Sequence, residues 1–149
     1  MISKILVPTD GSETANKSVK YAAELAKQLG ATITILSVID ISVILAQPIS
    51  AIASPSHLQE TVEEYMRQAA KACIQEATRI CKENGVQSEI VTRSGHPVEE
   101  IVNEAVKSKV DLIVMGSQGR SALKAAILGS VTFGVIHKDT KIPVLVVRK

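Results

Sequence analysis

The chain is expected to fold as an α/β protein, an open five-stranded parallel sheet with helices on both faces. Three observations predict this. Short runs of Ile, Val and Leu alternate with longer segments of helical period, in the order β-α-β-α-β-α-β-α-β. That alternation implies right-handed crossovers between parallel strands. The strand runs are rich in β-branched aliphatics, which suits strands buried on both faces. Finally, the core has to be aliphatic: among 149 residues there is no Trp, one Phe and two Tyr. A chain of this length fits one domain, 1–149, and buries about two-thirds of its unfolded surface on folding.

Lys4 to Val7 is the first strand, ended by Pro8-Thr9-Asp10-Gly11. Ser12 can cap the helix that follows, and Glu13 is favoured by its dipole. Val19, Ala22, Ala23, Ala26 and Leu29 recur at helical spacing, and Gly30 stops the helix. Thr32 to Val38 is the second strand. Asp40 to Ser56 has no clean period. A long helix from His57 or Leu58 to Asn84 carries Val62, Tyr65, Met66, Ala69, Cys73, Ala77 and Ile80 on one face. Gln87 to Thr92 is the third strand. Pro97, acceptable at a first helical position, opens a helix that continues through Val106. Leu112 to Met115 is the fourth strand, Ser130 to Ile136 a short helix and Pro143 to Val147 the last strand. The spacing alone does not give the strand order.

Composition excludes several classes. Seventeen basic against fifteen acidic residues give a net charge of +2, too balanced to imply nucleic acid or a membrane as partner. Stacking aromatics for single strands are nearly absent. No apolar run approaches the roughly 20 residues that cross a bilayer, and no secretory h-region is evident, so an intracellular, cytoplasmic protein is expected. Cys73 and Cys81 are too far apart along a helix for a disulfide and read as buried hydrophobes.

The chemistry concentrates in Gly116-Ser-Gln-Gly119-Arg120, nine residues from Gly119 to the next glycine, then Gly129-Ser130-Val131-Thr132. Chance gives this spacing in roughly one chain of this length in 200. The first glycine follows a strand and the last begins a helix. Gly116 and Gly119 lack a Cβ, which permits close ligand approach and positive φ. The N–H groups of Gly129, Ser130 and Val131 lack intrahelical acceptors, a ready seat for phosphate. The hydroxyls of Ser130 and Thr132 would add donors. A purely structural reading, glycines that only make tight strand-to-helix turns, competes with this one. Asp10, at the end of the first strand, would share a crevice with Gly116 if strands one and four are neighbours. Its carboxylate can accept from ribose hydroxyls or hold a phosphate-bound divalent ion, or it can simply make an Asx turn.

Together Lys4–Ser12, Ile35–Asp40, Asp111–Gly119, Leu128–Thr132 and Pro143–Val147 strongly resemble the universal stress protein family in its ATP-binding branch. The resemblance implies a Rossmann-like adenine-nucleotide-binding fold with strand order 3-2-1-4-5. It implies ATP as ligand, with Mg2+ or Mn2+ held by the phosphates. Pro8, Thr9 and Asp10 would line the site, with Asp10 near ribose. Val38 would meet adenine through its backbone, and Met115 and Gly116 would lie beneath the sugar. Gly119, Arg120, Gly129, Ser130, Val131 and Thr132 would surround the phosphates. It further implies a homodimer through the last strand. Many relatives have histidine where this chain has Gln118, which cannot titrate.

Three functions follow as expectations: an ATP-binding stress-response regulator with little or no turnover, a slow metal-dependent ATPase or phosphotransferase, or an interaction module with a vestigial site. No catalytic residue is assigned. His57, His96 and His137 are isolated, and His96 reads as a cap or turn residue. The aliphatics of 40–56 would cover adenine or meet a protein client, or the segment is simply a mobile surface loop. A P-loop is absent.

Overall fold

The computed structural model describes residues 1–42, 55–119 and 128–149, with side chains in all of these except 55–61. Arg120 and most of the 40–56 segment lie outside the described residues. Among those described, the elements are β1 (Lys4–Pro8), α1 (Glu13–Leu29), β2 (Thr32–Asp40), α2 (Pro55–Glu83), β3 (Ser88–Gly95), α3 (Pro97–Lys107), β4 (Leu112–Gly116), α4 (Ser130–His137) and β5 (Val144–Val147). The five strands form one sheet in the order β3-β2-β1-β4-β5. Every strand pair is parallel.

Each strand divides its side chains between two cores, because successive Cβ atoms point to opposite faces. On one face Ile5, Val7, Ile33, Ile35, Leu112 and Val114 meet Val19, Ala22, Ala23 and Ala26 of α1 and Ala77, Ile80 and Cys81 of α2. On the other, Leu6, Leu36, Ile113 and Met115 meet Ile101 and Ala105 of α3 and Val135 of α4. Neither cysteine forms a disulfide and both are buried, so they pack as small core residues. Helix α1 begins as its sequence dictates: the Ser12 hydroxyl accepts from the Ala15 N–H at 3.1 Å. It ends at Gly30, whose φ of 67° is left-handed and suits a residue without Cβ.

Several boundaries differ from the sequence expectation. Strand β2 runs two residues further, to Asp40, and β3 ends at Gly95 rather than Thr92. The reason is mutual pairing: Val38, Ile39 and Asp40 sit in register with Arg93, Ser94 and Gly95, which the side-chain pattern does not encode. Helix α2 starts earlier, at Pro55. Tyr65 is 74% exposed rather than on the buried face. A helix of 29 residues is about 43 Å long, whereas a nine-residue strand spans about 30 Å, so one end overhangs the sheet. Leu29 and Val106 are likewise exposed.

Glu104 is the one buried carboxylate among the described residues. Its Oε2 accepts from Arg93 Nε and Nη2 at 3.0 and 2.8 Å, and its Oε1 from the Ser108 hydroxyl at 2.6 Å. The Ser108 hydrogen bond holds its pKa below the usual carboxylate range, burial pulls the other way, and Arg93 adds to the lowering. A depressed pKa stabilises the fold above the unfolded carboxyl range, and that stability is lost as pH falls through the folded pKa. Glu104→Gln is therefore expected to cost about 2 kcal/mol at neutral pH, and the gap from wild type should narrow in acid. Urea unfolding of both proteins at neutral and acid pH checks this; an equal gap at both would contradict it.

Candidate functional site

The register brings the carboxyl ends of the strands to one edge. Pro8 lies beside Leu36, Asp40 beside Gly95 and Gly116 beside Val147. Strands β1 and β4 are neighbours, yet the chain leaves β1 toward β2, on the opposite side. Diverging connections of this kind open a crevice at the strand ends. A cleft of about 220 Å3, partly open to solvent, lies there, toward the small end of ligand sites.

Pro8, Thr9, Asp10, Val38, Met115, Gly116, Gly119, Gly129, Ser130, Val131 and Thr132 all line this cleft. Of the residues nominated from sequence, only Arg120 cannot be placed, because it is outside the described residues. Ala15, Leu36, Asp40, Pro97, Ile101 and Gln118 line it too. Leu36 and Ile101 belong to a hydrophobic cluster, so their pattern reads simply as core. Asp40 enters because β2 is longer than its apolar run suggests.

At the end of β1, the Thr9 N–H donates to the Leu36 carbonyl at 2.9 Å, and its hydroxyl accepts from the Gly11 N–H at 3.2 Å. Asp10 Oδ1 accepts from the Ser12 N–H at 2.9 Å. The Asx turn is therefore real, and it engages Oδ1. The other oxygen approaches Gly119: a Cβ built there would lie 2.8 Å from Asp10 Oδ2. Asp40 Oδ1 accepts from the N–H and hydroxyl of Ser42, at 2.9 and 2.6 Å.

At the end of β4 the structure corrects three expectations. The Gly129 N–H is not free, since it donates to the Ser117 carbonyl at 2.6 Å. The Thr132 hydroxyl donates to the Gly116 carbonyl at 2.8 Å, so its proton is not directed at a ligand. Positive φ is found at Gly11, Gly30, Gly85 and Gly95, not at Gly116, Gly119 or Gly129. These three glycines are needed for close approach instead. A Cβ on Gly116 would sit 3.0 Å from the backbone of Thr14, and one on Gly129 would sit 3.3 Å from Gln118 Cα.

What remains is a smaller and better-defined seat. Helix α4 makes its first intrahelical bond from the Phe133 N–H to Gly129 O, leaving the N–H groups of Ser130, Val131 and Thr132 without intrahelical acceptors. Its N-cap is glycine, with no side chain to satisfy them, whereas Ser12 caps α1. First turns of α1 and α3 carry Glu13, Glu99 and Glu100; that of α4 carries no acid. Its positive dipole end is thus uncompensated within the helix and suits an anion. His96 is the N-cap of α3 but makes no side-chain cap bond, and His137 ends α4, stacked on Phe133 with ring centroids 4.2 Å apart. Neither lines the cleft.

The model of the Universal stress protein family matches residues 1–148. This chain belongs to the universal stress protein family. It is 34% identical over 149 residues to universal stress protein MJ0531 of Methanocaldococcus jannaschii, covering all of this chain and 84% of that one. It is 36% identical over 149 residues to universal stress protein YxiE of Bacillus subtilis, covering 99% of this chain and all of that one. Among solved structures, MJ0577 of M. jannaschii superposes with a TM-score of 0.84 at 34% identity, covering 100% of this chain and 97% of that one. A universal stress protein solved in complex with cAMP superposes with a TM-score of 0.69 at 26% identity, covering 99% and 97%. The strand order that the resemblance implies is the one observed.

In this universal stress protein the cleft has apolar lining at Leu36, Val38, Ile101 and Met115, and polar lining at Asp10, Asp40 and the start of α4. That division suits a ligand with an apolar ring system and an anionic tail. Among the described residues no group of three or more His, Cys, Asp or Glu could hold a metal ion, and no helix is long and apolar enough to cross a membrane.

Proposed function

We propose that this chain is an ATP-binding regulatory protein of the stress response, with little or no turnover of its own. The observation that carries this is the trio of bare amides opening α4, in one cleft with Asp10 and Val38. In this reading the phosphates rest on the N–H groups of Ser130, Val131 and Thr132 and on the Ser130 hydroxyl, beside Gly119, Gly129 and Arg120. Asp10 accepts from the ribose, Met115 and Gly116 underlie it, and Pro8, Thr9 and the Val38 backbone frame the base. Among the described residues, the titratable side chains in the cleft lining are Asp10 and Asp40. Each already accepts from a backbone N–H, and a Mg2+ or Mn2+ ion would be held chiefly by the phosphates. Gln118 cannot act as a base. The cAMP complex of a relative supports an adenine nucleotide as the ligand class.

Charge-assisted bonds from three amides contribute about 1.5 to 3 kcal/mol each. With burial of the base, they offset the cost of association at about micromolar affinity. Equilibrium dialysis with labelled ATP and magnesium tests this. Saturable binding that unlabelled ATP competes away is expected; no saturation at millimolar ATP would contradict the proposal. Steady release of phosphate above a blank would replace regulation by hydrolysis.

Strand β5 is at the edge of the sheet, opposite β3. An apolar edge of this kind is a template for strand pairing, and we assign it to a homodimer in a cytoplasmic protein. Sedimentation showing a monomer at micromolar concentration would contradict the dimer.

A further inference from the structure

We infer that Thr132 is a positioning residue: its hydroxyl fastens the start of α4 to the end of β4 and so sets the amides that receive the phosphates. The inference rests on the nucleotide-binding reading and deepens it.

Thr132 is the third residue of α4 and is buried. At this place its own N–H is one of the three bare amides, while its hydroxyl turns away from the helix axis to reach the Gly116 carbonyl, 2.8 Å away. Gly116 is a fixed point. It is paired with Val147 in the sheet, and on its Cα side it is so close to α1 that a Cβ would stand 3.0 Å from Thr14 backbone atoms. Its carbonyl therefore cannot follow a drifting helix. A second bond, from the Gly129 N–H to Ser117 O at 2.6 Å, fastens the residue before the helix to the same strand end. Both ends of the first turn are thereby tied to β4.

The division of labour follows from chemistry. A helix start normally satisfies its amides with an Ser, Thr, Asp or Asn cap. Here the cap is Gly129, which leaves the amides open and restrains the turn only at its first residue. Thr132 supplies the missing restraint from inside the helix without blocking an amide. Amides held in place lose little entropy when an anion binds, and affinity gains from that preorganisation.

The test compares wild type with Thr132→Val, which keeps the shape and removes the hydroxyl, and Thr132→Ser, which keeps the hydroxyl. ATP and adenosine binding are measured for each by calorimetry. Loss of the bond should weaken ATP about tenfold in Thr132→Val, while adenosine, which makes no phosphate contacts, changes less than about twofold. Thr132→Ser should bind ATP within about twofold of wild type. Thr132→Ala carries the same expectation as Thr132→Val and replaces it should that variant not fold. Unchanged ATP affinity in the hydroxyl-less variants, or equal losses for ATP and adenosine, would overturn the positioning role while leaving nucleotide binding intact. A wild type that fails to bind ATP would remove the nucleotide reading and this role with it.

Discussion

Gly116→Ala should lower the unfolding free energy by about 2 to 3 kcal/mol, among the larger effects of any single methyl added to this chain. The added Cβ would be 3.0 Å from both the carbonyl carbon and oxygen of Thr14 and 3.2 Å from its Cβ. Two of those atoms are backbone, so no side-chain rotation relieves the contact. Either α1 moves off β4 or the end of β4 moves off β5. The first separates Val19 and Ala22 from Val114 in the core; the second strains the pairing of Gly116 with Val147 and the bond from the Ser117 N–H to Val147 O. Urea unfolding without nucleotide measures the loss. A midpoint equal to wild type would show that the helix-strand contact is looser than the structure has it.

Gly119→Ala should behave in the opposite way, losing ATP affinity by about tenfold or more with stability within about 1 kcal/mol of wild type. Among the described residues, the Cβ would meet only Asp10, with Oδ2 at 2.8 Å and Cγ at 3.9 Å. A carboxylate end can rotate, and the surface bond that it accepts from the Ser12 N–H is worth only about 0.5 to 1.5 kcal/mol, so the fold tolerates the methyl. The rotation takes Asp10 from the place in which it would meet the ribose, and the methyl itself narrows the cleft. Calorimetric titration with ATP, beside a melting curve, reads both quantities. Unchanged affinity would remove Gly119 and Asp10 from the site together. Equal destabilisation by both substitutions would remove the distinction between the two glycines.

That distinction was not legible in the sequence. Spacing marks Gly116, Gly119 and Gly129 as a set; access for a ligand and freedom of φ are the reasons for both Gly116 and Gly119, and an open helix-start amide is the reason for Gly129. The structure separates them by what a Cβ would touch: the backbone of α1 for Gly116, a carboxylate for Gly119 and the Gln118 backbone for Gly129. The first two contacts join residues more than a hundred positions apart and leave no local pattern. Likewise, Thr132 reads as one more hydroxyl donor until its partner, the Gly116 carbonyl, is seen.

The fold itself was more legible, for a physical reason. Alternation of β-branched runs with helical periods reports local conformation, and Ser12 and Gly30 mark helix ends through bonds made within a few residues. Strand order depends on which edge each crossover returns to, which spacing does not encode; only family resemblance gave it. Strand ends failed where pairing decides, as at Asp40 and Gly95. That failure concealed Asp40 from the sequence reading of the cleft. Tyr65 was misplaced because helical periodicity tells which face a residue shares, not whether the sheet extends beneath it.

The central claim concerns three amides, and they can be observed individually. In a nitrogen-15 spectrum of the full chain, the backbone resonances of Ser130, Val131 and Thr132 should shift and saturate as ATP and magnesium are added, with those of β3 unmoved. If these three stay in place while the nucleotide saturates elsewhere, or if no resonance responds at millimolar ATP, the start of α4 is not a phosphate seat.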